Sequence, residues 1–269
     1  MTPWLDRDLT TLAFCWRLVR RDGVTLGFTS HDRDLADAGL RYRATPGMAP
    51  SALERSTGFD ADNVDLTGAL TSDAIRGDDL AAGRWDGAQL TLLGVDWSQP
   101  QSDPLLLMSG VLGAVECAGD SFTVALHGPA SALDAPVVEA ISPDCRAALG
   151  DKRCQIDMAG RTVIVAVAEA NEASITLAAP LTGSLFSRGK LRWVDGENAG
   201  LGATILQQMG ATLSLSDRPY FPVTPGTRVE ITQGCDRQLQ TCKNRFNNVI
   251  NFRGEPHLPG NDVLTRYVS

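Results

Sequence analysis

The segment Thr11-Leu-Ala-Phe-Cys-Trp-Arg-Leu-Val-Arg-Arg-Asp-Gly-Val-Thr-Leu-Gly-Phe-Thr29 reads as two β-strands folded back around Arg21-Asp-Gly23. If those three residues form the loop, with Gly23 left-handed, Leu18 lies opposite Leu26 and Trp16 opposite Phe28, giving one continuous apolar face. A two-residue Asp-Gly turn would scatter that face, so the register is a specific expectation. It puts Cys15 with Arg17 on the other, more polar side, as a semi-buried filler thiol.

Outward from this hairpin the chain keeps the same character. Ala74 to Gly83 predicts a short helix stopped by its glycine, followed by a strand over Ala88–Val95. Leu105–Glu116 and Ser121–Leu126 bracket an Ala118-Gly-Asp120 turn as a second hairpin. Pro129 to Leu149 has the Ala, Leu and Val content of one or two short helices, broken by Pro136 and Pro143. Strand-like runs follow at Thr162–Ala168, Ser174–Leu177, Lys190–Val194, Ala203–Gln207, Thr212–Leu215 and Arg228–Thr232. The last stretch, Asn251–Gly260, is rich in proline and glycine and predicts an ordered, irregular tail. The expected fold is mainly β with a few short helices, in two β-rich domains, residues 1–136 and 137–269. The second would be a small barrel or sandwich closed by a four-cysteine metal site.

A length of 269 residues suits two ordinary domains, and 43% hydrophobic with 21% charged residues is a globular composition. The net charge of −8 argues against broad attachment to nucleic acid or anionic lipid. Residues 1–135 hold 10 basic and 19 acidic side chains, whereas 136–269 hold 14 and 13, a step that supports a boundary near residue 136. No long uncharged apolar run predicts a membrane span, and the opening residues do not read as a secretory leader, so synthesis in the bacterial cytoplasm is expected.

Cys15 and Cys117 stand alone, while Cys145, Cys154, Cys235 and Cys242 form two pairs in the second half. In a reducing compartment a disulfide framework is disfavoured, which makes metal the first reading. The spacings Cys145-x8-Cys154 and Cys235-x6-Cys242 are too wide for zinc knuckles. A [4Fe–4S] cluster is larger than one ion and suits wider loops at least as well; zinc, disulfides formed after release, and unrelated buried thiols stay open. Arg146, Lys152, Arg153 and Arg161 flank the first pair, and Arg237, Lys243, Arg245 and Arg253 the second, cations that could favour thiolates or could be solvated surface charge. Other chemistry is poorly supplied. With 3 histidines there are few general bases, although His257 with Cys235 or Cys242 could form a nucleophile and base of a cell-wall peptidase. His31-Asp-Arg-Asp34 could bind a divalent ion but reads better as a self-paired turn. No glycine-rich nucleotide or phosphate loop occurs.

Cys15-Trp-Arg, Arg21-Asp-Gly, Leu26-Gly-Phe-Thr-Ser-His-Asp-Arg-Asp-Leu35, Ser142-Pro-Asp-Cys-Arg-Ala-Ala-Leu-Gly-Asp-Lys-Arg-Cys154, Gly234-Cys-Asp with Cys242, and Asn251-Phe-Arg-Gly-Glu-Pro-His-Leu-Pro-Gly260 together resemble the tail hub protein of gene transfer agents and related siphophages. The resemblance also extends to the iron–sulfur tail-tip protein of lambda-like phages. It implies a structural baseplate protein, not an enzyme, placed between the distal tail protein ring and the large tip protein of a phage-like particle. It further implies a homo-oligomer, a trimer, through which DNA passes without specific binding. The same resemblance makes Cys145, Cys154, Cys235 and Cys242 ligands of a [4Fe–4S] cluster, with zinc as the alternative metal. The competing class is a cytosolic iron–sulfur redox or sensing protein, against which the missing nucleotide and flavin motifs count.

Overall fold

A computed structural model of the chain describes residues 10–44, 49–50, 63–69, 75–118, 121–128, 131 and 138–258. The chain divides into two compact units, Met1–Val137 and Val138–Ser269.

In the first unit, β1 (Leu12–Val19) and β2 (Thr25–Thr29) form the hairpin read from the sequence, with Trp16 opposite Phe28 and Leu18 opposite Leu26. Gly23 takes φ +89° in the loop, and the Arg20 and Val24 backbones close it. The strands β3 (Leu35–Asp37), β4 (Leu40–Ala44), β5 (Ala49–Pro50) and β6 (Asn63–Ala69) precede α1 (Gly77–Ala81). Then come β7 (Gln89–Asp96), β8 (Leu105–Ala118) and β9 (Ser121–His127). They make a nine-stranded sheet in the order β3-β4-β2-β1-β7-β8-β9-β6-β5. Helix α1 is shorter than expected, but the glycine stop stands, with Gly83 at φ +75°. Ala74, at the start of the expected helix, and the 119–120 turn lie outside the described residues.

Trp16, Leu18 and Phe28 pack with Leu80 and Trp85 on one face of the sheet. Cys15 departs from the expectation of a semi-buried thiol, being 1% exposed. The reason is β3–β4, whose Leu35 and Tyr42 cover the second face of β1 and enclose Cys15 with Ala13 and Val95. Burial raises the Cys15 thiol's pKa, and its Sγ donates to Thr29 Oγ1 at 3.5 Å. The side chain of Cys117 lies outside the described residues.

In the second unit, β10 (Thr162–Asn171), β11 (Ser174–Leu177), β12 (Lys190–Trp193), β13 (Gly202–Met209), β14 (Thr212–Leu215) and β15 (Arg228–Thr232) close into a barrel, ordered β10-β11-β14-β13-β12-β15. Alternation places Val167, Ile175, Ile205, Leu213, Val229 and Ile231 inside, each at most 1% exposed. Register shifts between Val167 and Glu169 and between Ile205 and Gln207 bend the strands toward closure. The buried Gln208 amide is satisfied, accepting from Phe186 N at 3.0 Å and donating to Gly183 O at 2.6 Å.

Of the helices expected in Pro129–Leu149, the part over 129–130 and 132–137 lies outside the described residues; the part over 138–149 is a correction, since no α-helix forms there. The backbone instead bonds outward, Cys145 N donating to Arg237 O and Arg146 N to Arg253 O, both at 2.9 Å. Those amides are therefore spent on distant partners and do not close helical turns. After the barrel come α2 (Leu239–Asn244), which the sequence reading missed, and a 3-10 turn at Val249–Asn251.

Strand β15 lies between β10 and β12, so its interior residues bear the barrel's closure. Ile231→Ala is expected to lower stability by about 2–5 kcal/mol in denaturant unfolding. Ile164→Ala, at a site 58% exposed on β10, should shift it by less than about 1 kcal/mol.

Candidate four-cysteine centre

Cys145, Cys154, Cys235 and Cys242 line one cavity of the second unit, whose apolar wall includes Leu149, Ile156, Phe246 and Phe252. Each cysteine reaches it on a differently anchored piece of chain. Cys145 is held by the two outward backbone bonds just described, and its Sγ accepts the N–H of Arg253 at 3.4 Å. Cys154 ends a turn built around Asp151. One Asp151 oxygen accepts the N–H of Arg153 at 2.9 Å and of Cys154 at 2.6 Å, while the other accepts that of Ala148 at 2.9 Å. The bonds from Cys154 and the other two amides hold the Asp151 carboxyl below the usual carboxylate range.

Cys235 leaves the barrel two residues after Gln233, and its Sγ accepts from Arg237 N at 3.4 Å. Arg237 takes φ +65°, turning its amide back toward the sulfur. Asp236 then makes a turn ahead of α2, accepting from Gln238 N at 3.0 Å and Thr241 Oγ1 at 2.7 Å. Cys242 sits on α2, buried, and its thiol donates to Asn248 O at 3.3 Å. Asn248 joins the two halves: its Nδ2 donates to Cys154 O at 2.6 Å and lies 3.8 Å from Cys154 Sγ.

Two glycines let these pieces close. A Cβ on Gly234 would stand 2.1 Å from Ser187 O, and one on Gly254 would stand 2.6 Å from Asp144 O. Both clashes are with backbone, beside Cys235 and Cys145. Burial raises the Cys235 and Cys242 thiol pKa values, and the other cysteines of the group add to the rise. Among the described residues no group of three His, Cys, Asp or Glu side chains is placed to hold a metal ion.

The flanking cations do not simply face the sulfurs. Arg146 grips Glu255 through both terminal guanidinium nitrogens at 2.6 and 2.8 Å and Glu139 through Nε at 3.0 Å, and Arg153 also pairs with Glu139. Lys152 and Lys243 are exposed. Arg237 and Arg253 serve through their backbone amides. Arg161 and Arg245 stand 5.3 and 4.7 Å from the Phe246 ring centroid. Burial first, and then the like charge of Arg161, lower the Arg245 pKa against the pull of Cys235 and Asp236. His257 is exposed and does not line the cavity. In the first unit, His31 caps its own turn through Arg33 N at 3.1 Å, while Asp34 accepts from Arg41 Nε and Ala44 N.

Two β-rich units, one with an internal thiol-lined cavity, define a structural β module, and the comparisons specify which. Residues 1–157 match the family described as baseplate hub protein, N-terminal attachment domain, and residues 184–262 match the phage conserved hypothetical protein BR0599. A chain from the virion of a native gene transfer agent particle superposes with a TM-score of 0.85 at 36% identity, covering 99% of this chain and 94% of that one. No curated protein matches. The chain belongs to the baseplate hub protein family, a family of phage-tail structural proteins. The hub-family match carries Cys145 and Cys154, and the second match carries Cys235 and Cys242.

Asn248, Glu255, Gly234 and Gly254 escaped the sequence reading. Gly234, Gly254 and Glu255 lie inside the motifs that carry the resemblance, with no role evident there, and Asn248 had no signal beyond its distance from Cys242.

The Arg146 bonds, then that from Ser142 N, depress the Glu255 pKa from 4.5 to about 2. Glu255 therefore stabilises the fold above its unfolded value, and that stability disappears as pH falls toward 2. Glu255→Gln should lower the urea midpoint at pH 7, and its deficit relative to wild type should close between pH 4.5 and 2. Gly234→Ala should destabilise by about 1–3 kcal/mol through its clash with Ser187 O, read by the same unfolding curves.

Proposed function

We propose that this hub-family chain joins the distal tail protein ring to the large tip protein of a phage-like particle, as a homotrimer surrounding the DNA path. In this reading it is a builder and not an enzyme, assembled into the tail after synthesis in the bacterial cytoplasm. The observation that carries the reading is the full-length likeness to a chain of a gene transfer agent virion, which extends through both units. The acidic excess of residues 1–135 suits a conduit past which DNA slides without sticking. Residues 1–136 would assemble the ring, and residues 137–269 would carry a structural metal centre.

For that centre we propose a [4Fe–4S] cluster held by Cys145, Cys154, Cys235 and Cys242. Support comes from the donor set. Four thiols surround one largely apolar cavity, and two of the sulfurs already accept backbone N–H groups, as thiolates bound to iron do. When bound, the cluster would supply four iron–thiolate bonds linking the segment before the barrel to the segment after it, a fastening role.

Particles from cells lacking this chain should end at the distal tail ring in electron micrographs, and complete tips would contradict the hub reading. Anaerobically purified wild-type chain should contain iron and acid-labile sulfide in matched amounts, lost in Cys145→Ser together with stability of the second unit. Zinc alone, or free thiols without metal, would contradict the cluster.

A further inference from the structure

Four thiolates on a [4Fe–4S] core carry a net charge of about −2, and a charge removed from water needs a partner. The structure offers two cations of an unusual kind beside the cysteine cavity. Arg245, half-buried, donates to Leu185 O and Gly234 O at 3.0 Å and to Gln233 Oε1 at 2.8 Å. Arg161 donates to Asp157 O at 3.0 Å and to the same Gln233 Oε1 at 3.2 Å. All these acceptors are neutral, and among the described residues neither guanidinium forms an ion pair, whereas Arg146, Arg153, Arg192 and Arg228 each pair with a carboxylate. The nearby Asp236 carboxylate attracts Arg245 but makes no direct ion pair with it, its oxygens being taken by Gln238 N and Thr241 Oγ1, and it offsets at most one of the two charges. Two like charges thus share one glutamine oxygen and one aromatic ring, an arrangement that costs energy unless an anion offsets it. That ring, Phe246, is itself part of the cavity wall.

We infer that Arg161 and Arg245, stacked on Phe246, are the counter-charge of the four-thiolate centre, positioning residues that hold an anionic cluster from behind one ring. This rests on the cluster reading above and names the residues that make it electrostatically affordable. The remaining cations near the cysteines are paired with carboxylates, exposed, or used through their backbone amides. Charge number agrees, since two guanidiniums oppose a net charge of about −2. The Phe246 ring on which both guanidiniums stack also lines the cysteine cavity, which brings their charge close to the centre without direct contact with the sulfurs.

The test uses the full chain, purified anaerobically, as Arg161→Gln, Arg245→Gln and the charge-preserving Arg245→Lys, with Lys243→Gln as the exposed control. Release of iron to a ferrous chelator should be about tenfold faster in each glutamine variant, the scale of one partly buried charge pair. The midpoint potential should fall, because removing a cation disfavours the extra electron. Arg245→Lys and Lys243→Gln should stay near wild type. In a Cys145→Ser background, which lacks the centre, Arg161→Gln should leave the urea midpoint unchanged or raise it, since it relieves a repulsion. A fall in that background equal to the fall in the loaded protein would show a packing role and overturn the inference. So would unchanged iron release and potential in a wild-type chain that holds its full complement of iron and sulfide. A wild-type chain without iron and sulfide would instead sink the cluster reading, and this inference with it.

Discussion

The second unit depends on two backbone hydrogen bonds that cross most of its sequence, Cys145 N–H to Arg237 O and Arg146 N–H to Arg253 O. They hold the segment entering the barrel against the segment leaving it. Once this pairing is set, Cys145 and Cys235 face one cavity, Asp151 folds Cys154 toward it, and α2 brings Cys242. Long-range closure of this kind is entropically expensive, because Arg237 lies 92 positions after Cys145 and the barrel lies between them. Backbone bonds alone repay little of that cost. The Arg146–Glu255 grip adds a charge-assisted fork at the same seam, on a surface where such pairs are modest. The cluster proposal supplies the missing strength, as covalent links between the two segments that the hydrogen bonds only align.

The sequence revealed the fold where local pattern decides it. The first hairpin's register followed from its apolar face and one left-handed glycine, and the barrel strands followed from alternation between turn signals. It misled where long-range contacts decide. The connector's alanines and leucines suggested helix, but near its end the amides of Cys145 and Arg146 are drawn to Arg237 and Arg253, a pairing no local window contains. Cys15 was read from one hairpin alone, and the covering strands β3 and β4 changed its burial.

The candidate centre was legible as a set of four residues and illegible as a place. Cysteine spacing and family likeness singled out the thiols, yet the adjacent cations were read as one class. The structure sorts them into carboxylate-paired, exposed, backbone-donating and ring-stacked groups. Asn248 and the two close-packed glycines matter only through contacts made across the seam, so their roles could not be read from spacing.

If one centre fastens both segments to the barrel, hydrogen exchange on the full chain before and after removal of metal by chelation will read that fastening directly. The account predicts that amides of Cys145–Cys154 and of Cys235–Arg253 are protected together and lose protection together on chelation, while barrel strands β10 to β15 keep theirs. Protection of the two segments that is indifferent to metal, or lost in only one of them, would contradict it.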